Sequence, residues 1–104
     1  MQTTQAQKLE KKDVFMFTGR FFGRLVELTL KDDSILKGRI GDFCYPCEFS
    51  DEDDEMNEEV GFSLKYVELN GEVIPNSIKI SQSLIKSFIP LERENTQEEI
   101  KALA

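Results

Sequence analysis

Histidine and tryptophan are absent from the 104 residues, cysteine occurs twice and proline three times. Without histidine the commonest general base and the usual Ser-His and Cys-His nucleophile pairs are missing. No glycine-rich loop leads from a strand into a helix to hold phosphates. These absences argue against an enzyme and predict no cofactor. No run approaches the roughly 20 apolar residues of a membrane span, and the opening MQTTQAQKLEKKD lacks the apolar centre of a secretory signal. The expectation is therefore a cytoplasmic protein with no membrane partner. Two cysteines make no disulfide framework, which agrees with a reducing compartment.

An excess of basic charge is also missing. The formal charge is −7, which opposes attraction to a polyanion. Its distribution matters more than its total. Seven acids and no base fall between Asp51 and Glu59, and the remaining thirteen acids equal the thirteen Lys and Arg. The body is thus neutral, with one acidic loop at about 44–59. That loop lacks the glycine and the spaced ligands of an EF-hand, so it reads as a solvated segment.

Alternation supplies the positive signal. Val26, Leu28 and Leu30 alternate with Glu27 and Thr29; after Lys31-Asp32-Asp33-Ser34, Leu36, Gly38 and Ile40 alternate with Lys37 and Arg39. Two half-buried strands joined by a tight turn follow. Phe62, Leu64 and Tyr66 form a third strand whose phase then shifts to Val67 and Leu69, which predicts a bulge. Asn70-Gly71 marks a two-residue hairpin. A fourth strand carries Ile78 and Ile80, and a fifth runs from Leu84 to Ile89. The expected fold class is mainly β: one domain over 1–104, a small bent five-stranded barrel over 14–90 with short N- and C-terminal helices. Residues 1–13 are expected as a flexible or helical arm. In the tail 91–104, Thr96-Gln97-Glu98-Glu99 forms a capping box that starts a short helix.

The stretch from Gly23 to Ile40 and the stretch Ile78-Lys79-Ile80-Ser81-Gln82-Ser83-Leu84-Ile85-Lys86-Ser87-Phe88-Ile89-Pro90 resemble the two motifs of Sm-like proteins. Gly38 falls on the first motif's glycine and Ile40 on its following aliphatic. The resemblance implies a strongly bent five-stranded barrel after an N-terminal helix, assembling into rings that bind RNA. At the positions that contact RNA in that family this chain has Cys44, about Glu48, Ser81 and Gln82, so the likeness bears on fold more than on function. A PUA-like barrel reads almost identically.

Basic residues gather before and within the first hairpin. Arg20 and Arg24 flank Phe21-Phe22, and an aromatic surface bounded by cations suits unpaired bases and phosphates. The predicted nucleic-acid site is therefore Arg20, Phe21, Phe22, Arg24, Lys37 and Arg39; the alternative is that the Phe side chains are core and the cations solvated. Cys44-x-x-Cys47 has the spacing of half a zinc site or a redox pair, but with no third cysteine it reads as packing, and no metal is predicted. The leading functional expectation is a non-enzymatic RNA-associated module, with post-transcriptional regulation as its expected role. Its competitor is a protein-interaction or self-assembly module that pairs with itself through strand edges.

Overall fold

A computed structural model describes residues 6–45 and 59–102. The chain is mainly β. A turn of 3-10 helix at Lys11–Asp13 leads into α1 (Val14–Arg20), then β1 (Leu25–Leu30), β2 (Ile35–Cys44), β3 (Gly61–Leu69), β4 (Glu72–Ile74), β5 (Ile78–Ser81), a second 3-10 turn at Gln82–Leu84, β6 (Ile85–Pro90) and α2 (Gln97–Ala102). The antiparallel sheet runs β4-β3-β2-β1-β6, with β5 also on β3.

The first hairpin follows the alternation. Val26 faces Gly38 and Leu28 faces Leu36, and Val26, Leu28, Leu36 and Ile40 are buried. Its turn is closed by Asp32, whose Oδ1 accepts from the Ser34 N–H at 3.0 Å, and by Asp33 at φ 70°. The glycine at position 38 has a steric reason: a Cβ there would lie 3.2 Å from the Lys65 carbonyl oxygen and 3.3 Å from Leu64 Cβ.

The phase shift in β3 is a bulge. Lys37 pairs with Glu68 and Arg39 with Lys65, so Tyr66 and Val67 together stand opposite Gly38. Tyr66 takes φ 56°, a left-handed conformation that costs a bulky residue energy, and its side chain is exposed while Val67 is buried. Past the bulge, Asn70 (φ 51°) and Gly71 (φ 90°) make the predicted turn. Asn70 also ties that turn to β2: its N–H donates to the Ile35 carbonyl at 2.8 Å, and its Oδ1 accepts from the Ile35 N–H at 2.9 Å.

The expected fourth strand is broken in two, so six strands stand where five were predicted. β4 pairs with Val67–Leu69 and β5 with Gly61–Leu64, both on one edge of β3. Pro75 follows β4 directly, and proline donates no ladder hydrogen bond. The 3-10 turn then carries the chain to β6 on the far side of β1. Among the described residues no ladder joins β5 to β6, so the sheet is open there. The outward backbone of Phe88 in β6 is instead bonded to Gln7, by N–H···O contacts of 2.9 and 2.8 Å. Of the arm expected as flexible or helical over 1–13, Gln7 thus bridges to β6, Leu9 is buried and Lys11–Asp13 are helical.

The N-terminal helix falls on Val14–Arg20, at the start of the stretch expected to belong to the barrel. Val14, Phe17, Thr18 and Phe21 repeat at helical spacing and are all buried. Phe17 stacks against Phe21, Phe62 and Phe88, with ring centroids 5.1, 5.4 and 4.8 Å away, so α1 lies over the core face of β3 and β6. At the other end of the chain the capping box is complete: Thr96 Oγ1 accepts from the Glu99 N–H at 3.1 Å, and Glu99 Oε1 accepts from the Thr96 N–H at 2.9 Å.

Two glycine replacements separate crowding from helix propensity. A Cβ on Gly61 would meet the Ile80 carbonyl oxygen, whereas one on Gly19 in α1 meets nothing within 4 Å. Gly61→Ala should lower stability by about 3 kcal/mol and Gly19→Ala should raise it by about 0.5–1 kcal/mol, both measured by denaturant unfolding.

Candidate functional site

Three of the predicted cations converge, and the C-terminal tail is what they converge on. Arg20 ends α1, Arg24 precedes β1, and Arg39 lies in β2 opposite Leu25. Arg20 Nη2 is 2.7 Å from Glu94 Oε2, Arg24 Nη2 is 2.6 Å from Glu99 Oε2, and Arg39 Nη1 is 2.9 Å from Glu92 Oε1. Arg93 adds a second guanidinium on Glu99, at 2.9 Å. Each predicted arginine thus already holds a carboxylate of its own chain.

Asn95 anchors the strap that carries these acids. It is 8 % exposed; its N–H donates to the Arg20 carbonyl at 2.6 Å and its Nδ2 donates to the Gly19 and Phe22 carbonyls at 3.1 Å each. Its Oδ1 accepts from Arg24 Nε at 2.8 Å. The last turn of α1 and the loop after it would otherwise leave those carbonyls without partners. One buried amide fits the tail to the helix end.

The remaining predicted site residues divide. Lys37 stands opposite Glu27 across the first hairpin, with Nζ 4.0 Å from its carboxylate. Phe21 is 4 % exposed, its ring packed against Phe17 and Phe88, so it presents no face for a base. Phe22 is 36 % exposed. Cys44 ends β2; Cys47 and residues 51–58 of the acidic run lie outside the described residues. Among the described residues no group of three or more His, Cys, Asp or Glu could hold a metal, and no helix is long and apolar enough to cross a membrane.

Ser81 and Gln82, at the second motif, serve the fold. Ser81 and Ser83 donate their hydroxyls to the Glu59 carboxylate, which holds that carboxyl below its ordinary value, chiefly through Ser81. Gln82 Nε2 donates to the Leu9 carbonyl at 2.9 Å. These bonds fasten the start of β3 and the N-terminal segment to the 3-10 turn.

A feature missed by the sequence reading lies beside the arginines. Phe15 and Met16 are 65 % and 63 % exposed, and Phe15 meets Phe43 edge-on at 5.2 Å between centroids. With Phe22, Gly41 and Ile100 they line a groove of about 380 Å³ whose rim carries Arg20 and Asp42. The helical spacing of Val14, Phe17, Thr18 and Phe21 held the clue, because it turns positions 15 and 16 outward. Comparison with protein families, curated proteins and solved structures finds no match for the chain.

The clasp around Glu99 sets a pH window. The Arg93 guanidinium, and then the Thr96 N–H, hold its carboxyl down to about 2 against an ordinary 4.5. The Leu25 N–H, and then Arg39, lower Glu92. A depressed carboxyl stabilises the docked tail above its unfolded value and stops doing so as pH falls through its folded value. Tail docking should therefore weaken between pH 4.5 and 2. Hydrogen exchange at the Asn95 amide reports it, and Glu99→Gln should flatten its pH dependence.

Proposed function

We propose that this chain is a non-enzymatic, cytoplasmic binding module built on a bent barrel of the Sm-like or PUA-like kind, and that it works by contact with another protein. The observation that carries this reading is the groove of Phe15, Met16, Phe22 and Phe43. A Phe and a Met more than half exposed on one helix, set against a second exposed aromatic, form the contiguous apolar patch that marks a protein contact more often than a bare surface. Self-assembly through strand edges is a further form of such contact. Among the described residues β6 meets Gln7 at Phe88, which leaves β4 and β5 as the edges for it.

RNA association is the second reading, favoured by the convergence of Arg20, Arg24 and Arg39 beside half-exposed Phe22. The carboxylates at 2.6–2.9 Å from those arginines stand against it, since a phosphate would have to displace each one. The two readings separate by photo-crosslinking in the cells of origin. With benzoyl-phenylalanine in place of Met16 the expected outcome is a discrete protein adduct that Phe43→Ser removes. An adduct consisting of RNA alone, together with steeply salt-dependent binding of a ten-residue uridine oligonucleotide to the purified chain, reverses the assignment.

A further inference from the structure

Arg20 belongs to two neighbouring features: it pairs with Glu94 of the tail, and it forms part of the rim of the aromatic groove. Ile100 likewise belongs to both, as the residue after Glu99 in α2 and as one wall of that groove. The tail therefore lies across a composite surface, cationic on one side and apolar on the other. What it places there is chemically specific: carboxylates on Arg20, Arg24 and Arg39, an amide on the backbone carbonyls of Gly19 and Phe22, and one aliphatic side chain at the groove.

We propose that the Arg20–Arg24–Arg39 face and the adjoining Phe15–Phe22–Phe43 groove together form the docking site for an acidic, apolar-bearing segment of a partner protein, whose place residues 92–100 of this chain partly occupy. The proposal rests on the protein-contact reading and names its partner's chemistry. Guanidinium groups match carboxylates and phosphates alike; here Arg20, Arg24 and Arg39 each donate one hydrogen bond to a carboxylate, so the choice of partner rests on the apolar half of the surface. A segment pairing Glu with Ile, Leu or Phe satisfies both halves, in the combination of carboxylate and aliphatic side chain that Glu94, Glu99 and Ile100 already place there. α2 fills the groove only in part, since about 380 Å³ stays open beyond Ile100. A partner supplying larger apolar side chains gains contact area that the tail does not provide. Apart from the buried Asn95, the strap is weakly held: none of the residues of α2 is buried, and its ion pairs are half-exposed, a setting in which each contributes little.

The test uses the full chain with a fluorescent peptide of the sequence of residues 91–102, its all-Gln counterpart and the uridine oligonucleotide. Glu92→Gln/Glu94→Gln/Asn95→Ala, which releases the strap, should bind the acidic peptide roughly tenfold or more tightly than the wild-type chain, lose it at high salt, and ignore the all-Gln peptide. Glu92→Gln/Glu94→Gln, which keeps the Asn95 anchor, should lie between the two and guards against a folding defect in the triple variant; circular dichroism and melting check both. Equal, negligible binding in natively folded variants overturns the proposal. If the Met16 crosslink to protein nonetheless persists, the protein-contact reading stands with a different partner. Preference for the oligonucleotide overturns both. A doubling of solution mass in the released variants overturns it in favour of a second copy's tail as the occupant.

Discussion

The contact on which the rest depends is the ring of Phe17 against Phe21, Phe62 and Phe88. It joins α1 to β3 and β6, which lie on opposite sides of the β2–β1 pair in the sheet, and it fixes the rotation of α1 about its axis. Once Phe17 points inward, the 3.6-residue period leaves no choice for its neighbours. Val14, Thr18 and Phe21 follow it into the core, Phe15 and Met16 are turned to the surface, and Arg20 emerges where the tail passes. The aromatic groove and the arginine cluster are thus two consequences of one packing decision.

That dependence explains what was legible in the sequence. A strand's period of two is visible in a few residues, so the β1–β2 hairpin, the Asn70-Gly71 turn and the phase slip at Tyr66 could be read from the letters, and the reciprocal bonds of Thr96 and Glu99 require only a local spacing. Two features resisted. Eight phenylalanines, four of them between Phe15 and Phe22, blur the helical period, because aromatic side chains fall on both the core-facing and the outward positions. Pro75 splits an edge strand while leaving its alternation intact, so β4 and β5 read as one. The arginines were legible as residues but their partners were not: nothing local in Arg20 or Arg24 tells that Glu94 and Glu99, more than 70 positions later, will face them.

Long-range pairing of this kind also alters what net charge means. Outside the acidic run the thirteen acids and thirteen bases cancel, but cancellation on paper leaves open whether the charges form opposed patches or matched pairs. Here the predicted basic patch is resolved into pairs: Arg20 with Glu94, Arg24 with Glu99, Arg39 with Glu92, Lys37 with Glu27. A polyanion gains from such a surface only by exchange, and exchange recovers little when each arginine already holds a carboxylate at hydrogen-bond distance. An acidic peptide faces the same exchange, yet it brings apolar area with it, and burial of that area can tip the balance at roughly 25 cal/mol per Å².

What keeps the strap in place is then decided by Asn95 rather than by the arginines. The ion pairs sit at side-chain exposures of 23 to 62 %, where water screens them and each is worth at most about 1 kcal/mol. Asn95 is buried, and its amide donates to two carbonyls near the end of α1, hydrogen bonds worth about 0.5–1.5 kcal/mol each. The carboxylates therefore select what lies on the arginine face, while the amide sets how firmly it stays. A competing segment that reproduces the charges but not the amide forgoes the two hydrogen bonds to Gly19 and Phe22. Segments carrying an Asn, Gln or exposed backbone N–H between their acids will have the advantage.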